Sequence, residues 1–170
     1  MKNLARQVQA CLAKNVNLLP SDIADQLSVS QADVVFSIPQ DMTDAINGNE
    51  AENLLLSISG WGKVTTIVHA LGSIFEVKAS LPKGKMAHGY YNLFGKPGEL
   101  DGHLRLDLIT RIALVSKPFR GKESYYIGFF IKSGQSMFKI YLGRDQKRQL
   151  IPEQIVQFKQ LVSKYSVVSE

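Results

Sequence analysis

Between Lys63 and Leu142 apolar residues recur at every second position in short runs, and Gly, Pro or Ser clusters cut each run off. That period is the pleat of a β-strand, and it leaves little room for a helical reading of this region. "KVTTIVHALGSIFEVKA" reads as two strands around a turn near Leu71-Gly72. "GYYNLF" and "ELDGHLRLDL" flank the turn "GKPG", and "RIALVSKPF" is strand-like. "YYIGFFIK" and "SMFKIYLG" follow, each after a short polar turn. Several strands joined by short connections predict an antiparallel sheet or an open barrel.

The flanks read differently. Leu4, Val8, Cys11 and Leu12 have helical spacing over residues 3–14. Next comes "LPSDIADQLSV", with Ser21 as N-cap or Pro20 as first residue of a second helix. Ser30 caps a third helix that carries Val34, Val35 and Phe36 and ends near Pro39. A fourth helix, in one or two pieces, is expected over 41–57. "PEQIVQFKQLVSKY" is an amphipathic helix with Pro152 near its start. The predicted class is α+β: an N-terminal helical block, a large antiparallel sheet and a C-terminal amphipathic helix. The chain of 170 residues reads as one domain, with sub-regions 1–57, 58–150 and 151–167.

Composition narrows the function classes. Apolar residues make up 45% and charged residues 21%, which fits an ordinary globular chain rather than a disordered one. The single cysteine, Cys11, rules out an intrachain disulfide and any cysteine-based zinc or iron–sulfur site, and its apolar-periodic setting predicts a core residue. The N-terminal stretch is too polar for a signal peptide, and no run approaches the length of a membrane span. A cytoplasmic protein without membrane insertion is expected. The net charge of +5 is uneven: residues 1–58 hold three basic and seven acidic side chains, and residues 59–170 hold 17 basic and 8 acidic. The sheet region is therefore suited to an anionic partner.

"SDIADQLSVSQADV" has the rhythm of a helix-turn-helix. Its second helix, over 30–38, has no Lys or Arg and carries Asp33. A recognition helix needs cations to meet phosphates, so a helical packing unit is the better reading and no nucleic-acid partner is expected.

The chemistry concentrates in "GYYNLFGKPGELDGHLR". If Pro97-Gly98 are central in a type II turn, Asn92 faces His103 and Tyr90 faces Arg105. If Lys96-Pro97 are central, Tyr90 faces His103. Both loops are even, so Tyr90, Asn92, His103 and Arg105 share one face while Tyr91, Leu93, Leu104 and Leu106 share the other. An odd loop or a bulge would exchange the two tyrosines. His88 joins the Tyr90 face if the strand stays regular that far. A phenolate is a hard anionic ligand suited to ferric iron, and Tyr or His can hold haem. Ligation requires the phenol to lose a proton that it otherwise holds up to a pKa of about 10, and a neighbouring Arg favours the anion.

The stretch from "GSIFEVKASLPKGKMAHGYYNLFGKPGELDGHLRL" through "ALVSKPFRGKESYYIGFF" to "MFKIYLGRDQKRQLIPEQ" resembles the HutX/ChuX/HuvX family of bacterial haem-utilisation proteins. The likeness includes the start "NLLPSDIADQLSVSQADVVFSIP" and covers nearly the whole chain. It implies a fold like half of the larger proteins related to HemS and ChuS, paired into a homodimer. It also implies a cytoplasmic carrier that holds haem b as cargo and passes it to a haem-degrading partner of the HutZ type. Tyr90, in "GYYN", is then the first choice for axial iron ligand, and His103, in "GHL", the second. His69, at a strand end beside a turn, and Arg105 complete the candidate binding set; Lys117 and Arg120 are weaker choices for the propionates. His69 and His88 match no family motif. Two other functions compete with the carrier. One is a haem-degrading enzyme, which His103 as ligand would favour, and the other is a DNA-binding regulator.

Overall fold

A computed structural model describes residues 2–166. The chain opens with helices α1 (Lys2–Lys14), α2 (Pro20–Leu27) and α3 (Gln31–Val35). Pro20, not Ser21, starts α2: it is the first helical residue, and the Asp22 carboxylate accepts the Leu19 N–H. Ser30 caps α3 as expected, its hydroxyl accepting the Asp33 N–H while the Asp33 carboxylate accepts the Ser30 N–H. Val8, Cys11, Ile23, Ala24, Val34 and Ile38 form one small core among these helices.

The expected helix over 41–57 is corrected. Thr43–Asn47 form strand β1, a 3-10 turn follows at Gly48–Glu50, and only Ala51–Ile58 are helical, as α4. Asp44, Ala45 and Asn47 in "TDAIN" are poor strand formers. The edge of a neighbouring strand supplies the partner, pairing Ala45 with Ala113. Gly48 makes the break, because a Cβ there would lie 2.1 Å from the Ile109 carbonyl oxygen.

The strands that follow are β2 (Lys63–Ala70), β3 (Ser73–Ser80), β4 (Gly84–Ala87), β5 (Tyr90–Leu93), β6 (Gly102–Leu104), β7 (Ile109–Ser116), β8 (Tyr125–Ile131) and β9 (Ser136–Tyr141). They form two antiparallel sheets rather than one. The larger runs β1-β7-β8-β9-β2-β3, and the smaller runs β4-β5-β6. Strand β4 has no apolar alternation to announce it; it forms because β5 needs a partner on its other side. Strand β3 closes the large sheet as an edge, with Ile74 and Phe75 exposed.

Alternation gives the large sheet two different faces. Ile112, Leu114, Ile127, Phe129, Phe138 and Ile140 point into the main core, where α4, the small sheet and the final helix α5 (Pro152–Ser166) meet them. The end of that helix expected at residue 167 lies outside the described residues. Ala113, Val115, Tyr126 and Phe130 point the other way, onto Ala32 and Val35. The N-terminal helices thus cover the β7–β8 half of this second face. The helix-turn-helix-like segment is spent on packing.

Gln154, fully buried, ties α5 to the sheet. Its amide donates to the carbonyls of Trp61 and Lys63, and its Oε1 accepts the Gly143 N–H at 2.7 Å. A buried amide satisfied on both ends fixes the helix rather than straining it. Among the described residues no helix is long and apolar enough to cross a membrane.

Candidate functional site

The small sheet carries the site. The turn between β5 and β6 places the Glu99 N–H 2.9 Å from the Lys96 carbonyl, with Gly98 at φ 86°, so Pro97 and Gly98 are its central residues. The register follows: Asn92 pairs with His103 and Tyr91 with Leu104. Tyr91 and Leu93 are buried in the main core, whereas Tyr90 is 39% exposed on the opposite face. The Tyr91 phenol accepts the Gly84 N–H at 3.1 Å, and burial pushes its pKa up.

Three candidates meet on the open face. The rings of Tyr90 and His103 lie edge to face, with centroids 5.9 Å apart, and the Arg105 guanidinium sits 5.8 Å from the Tyr90 ring centroid. Arg105 is also engaged on its other side, forking onto Asp107 at 2.8 and 2.6 Å. That contact holds the Asp107 carboxyl below its ordinary range. His88 is not on this face. It forms a two-residue turn with Gly89, both at positive φ, so the regular strand expected through it ends at Ala87.

The sequence pairing of Asn92 with His103 did not reveal what Asn92 does. Its Nδ2 lies 3.0–3.1 Å from the carbonyls of Lys85, Ala87 and Tyr90, which makes it the donor end. Its Oδ1 therefore faces His103 Nδ1, at 2.6 Å, and Nδ1 must carry the proton. In the neutral ring Nε2 then keeps a free lone pair, the state in which a histidine binds metal.

Among the described residues, no three His, Cys, Asp or Glu side chains come together to hold a metal ion. What the face offers instead is one phenol, one imidazole nitrogen and a cation. Such a set suits iron whose four equatorial positions a porphyrin already fills, leaving only axial places.

The remaining candidates lie elsewhere. Lys117 is buried, and its ammonium donates to the Val16 carbonyl at 2.5 Å, so it is a structural cation rather than a propionate contact. His69 and Arg120 line a second feature, a cavity of about 750 Å³ on the half of the large sheet that the N-terminal helices leave open. No hairpin residue lines it. Burial, and then the charge of Lys139, hold the His69 pKa below its ordinary value. Lys139 and Tyr141 project into this cavity from β9. The alternation of "SMFKIY" puts them opposite Phe138 and Ile140, but nothing in the sequence shows Lys139 to be buried.

The family model described as "Haem utilisation ChuX/HutX" matches residues 45–161. A relative from Vibrio cholerae, named intracellular heme transport protein HutX, is 54% identical over 159 residues, which is 94% of this chain and 82% of that protein. A solved structure of the heme-binding protein ChuX superposes with a TM-score of 0.84 at 33% identity, over 92% of this chain and 97% of the other. The heme-degrading enzyme ChuS of Escherichia coli O157:H7 superposes with a TM-score of 0.67 at 14% identity, and 42% of its length is covered by 85% of this chain. That last likeness is one of fold alone, and it bears out the fold as about half of the larger protein.

Proposed function

Since the chain belongs to the ChuX/HutX family of haem-utilisation proteins, we propose that it is an intracellular haem carrier with Tyr90 as the axial ligand to ferric iron. The observation that carries this reading is the half-exposed Tyr90 phenol, flanked by His103 and Arg105 on one sheet face. Its neighbour Tyr91 is committed to the core. His103, with Nε2 free, stands beside Tyr90 as the second donor.

The role as transporter is supported by the name of the Vibrio relative. The finer parts of the proposal are a homodimer, a cytoplasmic location and delivery of haem to a degrading partner of the HutZ type. A phenolate ligand stabilises ferric iron and resists the reduction that oxygen activation requires, so holding haem fits this face better than degrading it.

The test is a ferric-haem titration followed by absorption in wild type, Tyr90→Phe and His103→Ala. Tyr90→Phe should change the spectrum and weaken binding most. An unchanged spectrum in that variant would remove Tyr90 from the iron. Incubating the complex with reductant and oxygen separates carrier from enzyme: a stable Soret band fits the carrier, and a verdohaem or biliverdin product would establish degradation.

A further inference from the structure

We propose that Lys83 and Lys85, the two cations of "KGK", receive the propionates of haem, and that Arg105 does not. The proposal rests on the reading that haem lies over Tyr90. On that reading the outer face of the small sheet must supply two things besides an iron ligand: a surface for the apolar ring and counter-charge for two carboxylates. Arg105 is already engaged. Its guanidinium forks onto Asp107 at 2.8 and 2.6 Å, so the pair together carries no net charge. A carboxylate arriving there would have to displace Asp107 or share a cation with it.

The register of the small sheet brings in other cations. Lys85 pairs with Asn92, and Ala87 with Tyr90. Pairing runs one residue further, since the Phe94 N–H donates to the Lys83 carbonyl at 3.4 Å. Residues directly opposite in an antiparallel pair project to the same face. Lys83, Lys85 and Phe94 therefore share the face of Tyr90, Asn92 and His103. Gly84, between the two lysines, faces inward, where the Tyr91 ring leaves no room for a Cβ. Lys85 is the diagonal neighbour of Tyr90, about 7–8 Å away between Cα atoms, and a lysine stem has the reach to cover that. Both lysines are exposed, and among the described residues neither makes an ion pair. Phe94 is 67% exposed and continues the line of Tyr90 and Asn92 along β5. An open aromatic surface beside two free ammonium groups fits an apolar ring that carries two carboxylates on one edge.

Ferric haem and its dimethyl ester separate the two roles, because esterification removes the carboxylate charges and keeps the iron. Each is titrated by absorption into wild type, the double variant Lys83→Met/Lys85→Met and a charge-matched control, Lys14→Met/Lys159→Met, whose exposed lysines lie on α1 and α5. Two exposed ion pairs together are worth about fivefold in affinity at low salt. The double variant should therefore bind haem about fivefold more weakly than wild type and control do. It should bind the ester as they do and keep the wild-type spectrum. Added salt should close the gap. Arginine at both positions should restore wild-type haem affinity. Equal haem affinity in wild type and double variant, or the same loss for acid and ester, overturns the proposal. The iron-ligand reading fails separately, by an unchanged spectrum in Tyr90→Phe.

Discussion

Asn92 and His103 are joined by a 2.6 Å contact that admits only one of the two neutral tautomers of the imidazole. With the Asn92 amide nitrogen turned to three carbonyls, its oxygen demands a proton from Nδ1 of His103. Long-range proton–nitrogen spectra of the haem-free protein should show Nδ1 protonated and Nε2 bare. In Asn92→Leu the two tautomers should mix and haem binding should weaken severalfold. A neutral ring protonated at Nε2 instead of Nδ1 would contradict the assignment.

The two tyrosines separate by consequence. Tyr90→Phe should lower ferric-haem affinity about tenfold or more, a loss of at least about 1.4 kcal/mol. Tyr91→Phe should leave the haem spectrum alone and destabilise the fold by about 1 kcal/mol, because the Gly84 N–H loses its acceptor. Urea unfolding beside the haem titration measures both.

Gly84 and Tyr91 are in contact so close that no side chain fits between them. A Cβ at 84 would lie 2.4 Å from the Tyr91 ring. Gly84→Ala should cost about 1–3 kcal/mol by pushing the ring into the core, and should weaken haem binding indirectly by shifting β5. Retention of wild-type stability would mean the ring has room to move.

Gln154→Leu leaves the Gly143 N–H and the carbonyls of Trp61 and Lys63 without their partner. Each buried group left unsatisfied costs about 1–3 kcal/mol. Thermal unfolding should occur several degrees lower, with α5 amides exchanging first in hydrogen exchange.

Lys139 gives a dependence on pH with a definite sign. Its folded pKa, about 8, is below the unfolded value of 10.5, so between these values the unfolded chain binds more protons. Stability should therefore rise with pH across that window. Below it the penalty is fully present, roughly 3 kcal/mol. Lys139→Met should stabilise the protein at neutral pH and flatten the rise. Denaturant titrations at pH 7 and pH 10 would show it, and parallel slopes in both proteins would refute it.

Much of this was legible before any coordinates. The even loop around Pro97-Gly98 fixed which side of the hairpin Tyr90 and His103 share, because a period of two carries parity through the turn. Capping by Ser30 and the burial of Cys11 were equally local. What failed locally was decided at a distance. Thr43–Asn47 become a strand because β7 has an open edge, and β4 exists because β5 has one. The role of Asn92 depends on three carbonyls that only the fold brings together. Lys117, a weaker choice for the propionates, is instead taken up by the Val16 carbonyl in the loop after α1. Lys139 was visible on its strand face, but its isolation depends on where the N-terminal helices stop.

Tyr90 and Tyr91 stand next to each other in the chain and answer to different demands. The apolar contacts that seat β5 are made by its inner residues Tyr91 and Leu93, so the side chain at 90 can change without reopening the core. On the proposed reading, a lineage that exchanged the phenol at 90 for an imidazole or a thioether would change the ligand offered to iron while inheriting the same scaffold. Strand alternation here divides one short segment into a buried anchor and an exposed chemical handle, each open to change on its own terms.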